Sequence, residues 1–219
     1  MQTHITSFKE RLINFFLLNL VGIGYILTNT LVSYNAPYPT LNMEFEASIP
    51  FVSNIIFPYL SYFVVATLIF VLPHNREKLA IYMFRFFFVA MITFSIFIIF
   101  PFENAFTRPT EEYTGVKWFL YILLNQDLRY NQMPSFHISL ALLYSLIIID
   151  FYKHKLIHWL AISWFFMICT SVLLMFQHHI ADIISAIILV AISVYISNRS
   201  DVQVAIMNIY NRGVKKFKS

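Results

Sequence analysis

"LAIYMFRFFFVAMITFSIFIIF", residues 79–100, carries a single charge, Arg85, in twenty-two positions. An apolar run of about 20 residues is the length an α-helix needs to cross a hydrocarbon core roughly 30 Å thick. The rest of the chain repeats the pattern. Of its 219 residues 59% are hydrophobic and 12% charged, with 24 Phe and 13 Tyr, whereas a soluble domain is about a quarter charged. The expected class is therefore all-α: one polytopic integral membrane domain over residues 1–219, with no room for a separate soluble unit.

Six transmembrane helices are expected, over about 12–32, 51–72, 79–100, 134–152, 156–176 and 180–197. The first, second and fifth contain no Asp, Glu, Lys or Arg. The N-terminal stretch has a charged start but no small-residue cleavage site, and is expected to remain as the first helix. Eleven of the fifteen Lys and Arg residues fall on one side of such a bundle: Lys9, Arg11, Arg76, Lys78, Lys153, Lys155, Arg199, Arg212, Lys215, Lys216 and Lys218. The other side receives Arg108, Lys117 and Arg129. Positive residues mark the cytoplasmic face, so both termini are expected there, in a membrane such as a bacterial inner membrane. The net charge of +4 is spread over short loops and the tail, a pattern of lipid orientation rather than of a nucleic-acid partner. The single cysteine, Cys169, lies in an apolar run and is expected to pack there.

Parity then puts the loop 101–133 and the turn between the fifth and sixth spans on the same, extracytoplasmic side. The loop is the longest in the chain and contains "GVKWFLYILLN" (115–125), too short to span and suited to the interface or to a lid. Three polar clusters meet this face: "FTRPT" around Arg108, "NQMPSFHIS" around Ser135 and His137, and "MFQHHIADIIS" around His178, His179 and Asp182.

His178 and Asp182 are four apart, hence on one helical face. A carboxylate there can hold one imidazole nitrogen and leave the other bare toward a substrate, which makes an activated nucleophile or base. Pro134 suits a first helical turn. The amides after it, with the Ser135 hydroxyl, form an anion site at the positive end of the helix dipole. Arg108 offers a planar fork for phosphate oxygens. Other readings stand beside these: Ser135 as a helix cap, His137 as an interfacial aromatic, and "HHIAD" as a metal site. Asp182 has the strongest claim to function, because an ionisable group inside a span is costly unless paired. Arg85 is expected to snorkel or to pair, Asp150 faces the opposite side, and Asn14, Asn19 and Asn29 are candidates for interhelical hydrogen bonds.

The fragments "RP" (108–109), "PSFH" (134–137) and "QHHIAD" (177–182) resemble the motifs KxxxxxxRP, PSGH and SRxxxxxHxxxD of the type 2 phosphatidic acid phosphatase family, relatives of the vanadium haloperoxidases. The resemblance covers about residues 100–195. It implies that His178 attacks phosphorus and forms a phosphohistidine, Asp182 orients it, His137 protonates the leaving oxygen, and Arg108 with Ser135 binds the phosphate. No metal or cofactor is implied; the partners are the membrane and a lipid phosphate. The chain departs from the pattern at Pro101, Phe136 and Val172, where the family has Lys, Gly and Arg. Lys117 or Arg129 are candidates to replace the missing cations. "YNQMPSFHIS" with "QHHIAD" also resembles the branch of inositol phosphorylceramide and sphingomyelin synthases, in which an alcohol captures the phosphohistidine, or its equivalent, and so receives the phosphorylated headgroup. A lipid phosphatase, a phosphotransferase and a non-catalytic lipid-binding or transport module are the three functions to separate.

Overall fold

A computed structural model of the chain describes residues 5–71, 75–124 and 129–216. Among the described residues eight α-helices follow one another: α1 Phe8–Ser33, α2 Ile56–Val71, α3 Arg76–Ile99, α4 Val116–Leu124, α5 Phe136–Phe151, α6 Lys155–Leu174, α7 Ile180–Ser197 and α8 Ser200–Lys216. Four of them, α1, α3, α6 and α7, are long and apolar enough to cross a membrane. Helices α2 and α5, at 16 residues each, reach about 24 Å at 1.5 Å per residue, short of the roughly 30 Å core. The six expected spans thus coincide with six helices, but only four have full crossing length.

Helix α5 sits at the centre, packed against α2, α3, α6 and α7. Its small residues allow the close approach: Ala141 is fully buried, and the Ser145 hydroxyl donates across the interface to the Ala161 carbonyl of α6 at 3.1 Å. Such small and hydroxylic residues suit helix packing in lipid, where every polar group needs an internal partner. Helix α5 begins at Phe136 with Ser135 as its N-cap, the Ser135 hydroxyl accepting from Ile138 N–H at 3.3 Å. Pro134 therefore precedes the helix rather than forming its first turn.

The end of the bundle expected in the cytoplasm is tied by polar side chains. Glu10 meets Arg76 at 2.8 Å, joining α1 to the start of α3. Asp150 accepts from Lys78 at 2.7 Å and from the Tyr82 hydroxyl. Arg85 reaches Ser197 Oγ at 2.7 Å and Asn198 Oδ1 at 3.0 Å, snorkelling to the C-terminal end of α7, where the helix dipole favours a cation. Asn19 bonds back to the Phe15 carbonyl of its own helix at 2.8 Å, not to a neighbour. The basic tail is helical: α8 packs beside α3, with Ile206 buried and Val204 and Ile209 exposed.

At the opposite end, the loop 101–133 folds back on itself through a bridge between Phe102 and Asn131. Within it α4 spans nine residues and leaves Val116, Trp118 and Phe119 exposed, as an interfacial segment does.

Candidate active site

The chain turns from α6 into α7 over residues 175–179, and this turn is tightly held. Phe176 has φ +51°, a left-handed conformation that costs a bulky residue about 1–3 kcal/mol and persists only where its surroundings enforce it. Its carbonyl accepts from Asn104 Nδ2 at 3.1 Å and from Arg108 Nε at 3.3 Å, and its ring packs on Phe51 and Phe106. Gln177 N–H bonds the Val172 carbonyl at 2.8 Å. The strained turn presents His178 to the protein interior, 3% exposed.

His178 Nδ1 faces Asp182 Oδ2 at 3.3 Å, and His178 Nε2 faces His137 Nδ1 at 3.5 Å. Asp182 Oδ2 also accepts from His179 N–H at 2.8 Å, in a capping box at the start of α7. Its second oxygen, Oδ1, is buried with no partner among the described residues. With the ionised carboxylate as acceptor, His178 carries its proton on Nδ1 and Nε2 is bare. The backbones of the two motifs are joined as well, Ser135 N–H donating to the Asp182 carbonyl at 3.1 Å. His137 lies among the rings of Tyr25, Tyr59 and Tyr62, with centroids 5.4 to 5.8 Å away.

Of the sequence-derived candidates, His178, Asp182, His137 and Ser135 therefore converge. Ser135 is fully buried and acts as a cap. Arg108 stands at the same turn, its terminal nitrogen donating to Gln177 Oε1 at 2.7 Å. Lys117 is tied instead to Ser53 Oγ at 3.0 Å and Asn54 Oδ1 at 3.1 Å. Arg129 donates to the Asn104 carbonyl at 2.5 Å and so braces the loop that holds Phe176. At the departures from the motif pattern, Val172 is fully buried, in a place that suits no cation. The Phe136 ring turns away into the bundle against Tyr25 and Phe94.

Two residues the sequence did not single out belong to this region. Glu46, in a short 3-10 turn Glu44–Ser48 that lies over the site, meets His179 Nδ1 at 2.7 Å with both side chains 1% exposed. His179 Nε2 accepts from Ala105 N–H at 3.1 Å, so the ring proton is on Nδ1 and is donated to Glu46. Glu46 Oε1 also accepts from Ile180 N–H at 3.3 Å, a carboxylate at the positive end of α7. His179 is thus a tie between three segments, and neither of its ring nitrogens serves His178. Tyr113 stacks on Tyr121 at 4.6 Å. Burial pushes its phenol up to about 12, only partly offset by Arg108, so it is a neutral donor whose buried oxygen has no partner among the described residues.

A family model for the PAP2 superfamily matches residues 40–196, a stretch that takes in Glu46, Arg108, Ser135, His137, His178 and Asp182. No curated protein and no solved structure matches the chain.

Proposed function

The chain belongs to the PAP2 superfamily, and from that membership we propose that it is a membrane phosphatase hydrolysing a lipid phosphate or diphosphate at the extracytoplasmic face through a phosphohistidine. The observation that carries this proposal is the line Asp182, His178, His137, its first two members buried and His137 half-buried, with ring nitrogens 3.3 and 3.5 Å from their neighbours. Asp182 holds the His178 proton on Nδ1 and stabilises the cationic ring that forms as Nε2 bonds to phosphorus. The phosphoryl group takes the place of the His137 contact, so the two rings separate to admit it. The bond from phosphorus to the leaving oxygen breaks, and His137 gives that oxygen a proton. Water, giving its proton back to His137, then attacks the phosphohistidine and releases inorganic phosphate. Arg108, held at the turn that carries His178, and the first-turn amides of α5 meet the charge on the phosphoryl oxygens. No step requires a metal.

The same proposal lays α1, α2, α3, α5, α6 and α7 across the bilayer with both termini cytoplasmic, α2 and α5 completing their passage with the residues that flank them. Purified protein is expected to release inorganic phosphate from a panel of lipid phosphates, unaffected by chelator. His178→Gln is expected to lower the rate by about a thousandfold or more. Undiminished turnover in that variant contradicts the assignment.

A second function, transfer of a phosphorylated headgroup, with its ester bond kept, to a lipid alcohol, is favoured by the aromatic enclosure of His137, which restricts water on the leaving-group side. The product decides: free phosphate, or a new phosphodiester formed only when acceptor is supplied.

A further inference from the structure

A groove of about 190 Å³ lies between α1 and α2, floored by α3 and α5, and two of its lining residues, Tyr62 and Phe136, are neighbours of His137. Its inner wall is Tyr62, Phe86, Phe136, Leu140 and Tyr144, all buried. Its rim is Asn19 and Gly22 of α1 and Phe63 and Thr67 of α2, all exposed. The groove therefore opens sideways, between two helices of the apolar bundle, and not toward either loop face. On α5 its wall extends from Phe136 to Tyr144, about 12 Å along the helix axis.

The polar atoms around it are already satisfied at home. Asn19 Nδ2 donates to the Phe15 carbonyl at 2.8 Å, Thr67 Oγ1 donates to the Phe63 carbonyl at 2.9 Å, and the Tyr62 and Tyr144 hydroxyls pair with each other. An occupant thus meets mostly hydrocarbon surface, which the chain of a lipid matches. Two wall residues connect the groove to the site: Tyr62 lies edge-on to His137 at 5.8 Å, and Phe136 is the residue before it. The Phe136 end of the groove is the end next to His137. A Cβ built on Gly22 meets nothing within 4 Å, so this glycine leaves a gap in α1 at the groove mouth.

We infer that this groove holds the hydrocarbon chain of the phosphorylated lipid and that Gly22 sets the room available to it. The inference rests on the lipid-phosphate function proposed above, and names where the apolar part of that substrate binds.

Gly22→Leu projects a side chain into the groove and touches none of the residues placed at the phosphate. Expelling about two methylenes of the substrate chain raises KM about tenfold, so at least that rise is expected for a long-chain lipid phosphate. KM and kcat for water-soluble nitrophenyl phosphate are expected to stay at the wild-type values. An unchanged KM for the long-chain substrate overturns the inference. If Gly22→Leu does not fold, Ala66→Phe, from the opposite side of the groove, is held to the same two outcomes.

A second measurement needs no turnover. A long-chain lipid phosphate with a photoreactive tail is expected to label the wild-type protein on α1 around Gly22 and on α2 between Tyr62 and Thr67. Excess unlabelled lipid phosphate should prevent this, and diacylglycerol should prevent it less. Labelling elsewhere, or equal competition by diacylglycerol, shows a bulk-lipid groove and overturns the inference. Absence of phosphate release from every substrate, with phosphate-selective labelling of the groove intact, would instead count against the phosphatase function alone.

Discussion

His179 and His178 are adjacent in sequence and do different work, and the difference lies in what each ring nitrogen faces. His178 is held on one side by Asp182 and looks toward His137 on the other. Both nitrogens of His179 are engaged, by Glu46 and by Ala105 N–H. The Asp182 partnership is readable from a four-residue spacing on one helix. Glu46 is not, because 133 residues separate it from His179 and only the path of the loop between α1 and α2 brings them together. The available signal was weaker: an acidic residue amid the apolar "NMEFEAS" of a chain that carries few charges. Removing one member of a buried pair leaves the other unsatisfied and costs about 3–5 kcal/mol. Glu46→Ala is expected to lose that much stability to denaturant in detergent, and Glu46→Gln, which still accepts from His179, distinctly less. An alanine variant as stable as the wild type would remove Glu46 from this role.

At the scale of elements, apolar periodicity and length marked all six principal helices to within a few residues, because lipid demands long, uncharged, internally hydrogen-bonded segments. The exceptions have local causes. Ser135 rather than Pro134 closes the start of α5, since a hydroxyl can accept from the first-turn amides and a proline ring cannot. The basic tail read as charge alone, yet "VQVAIMNIY" (202–210) spaces its apolar residues for a helix lying along a surface. Helix α4, expected at an interface or as a lid, is a short helix with an exposed apolar side. The proposed topology puts α4 and α8 on opposite sides of the bilayer. In a Cys169→Ser background, a cysteine at exposed Thr114 is expected to react with a membrane-impermeant reagent in intact cells, and one at exposed Asn211 only after permeabilisation. The reverse pattern would invert the orientation and put the site in the cytoplasm.

Over the whole molecule, the arrangement of helices is what turns three separated motifs into one site. Helix α5 at the centre fixes His137, α7 and the turn before it fix Asp182 and His178, and the segment that follows α3 brings Arg108 and Asn104 onto the strained turn between α6 and α7. The parity of the expected spans predicts that the motifs share one end of the bundle, and His137, His178 and Asp182 do meet there. What could not be read in advance was their bracing: the left-handed Phe176, the Asn104 hub and the Tyr cage around His137 depend on contacts between segments far apart in the chain. The groove beside Tyr62 and Phe136 likewise exists only because residues of α1, α2, α3 and α5 come together around it. The central claim is that His178 becomes covalently phosphorylated. Nitrophenyl phosphate carries a leaving group that needs no acid, so a His137→Gln variant should form the phosphohistidine from it and fail to hydrolyse it. Quenched without acid and analysed by peptide mass spectrometry, that variant is expected to carry phosphate on His178, with none in the His137→Gln, His178→Gln double variant. Phosphate on another residue, or turnover by His137→Gln with no trapped phosphate at all, would contradict the account.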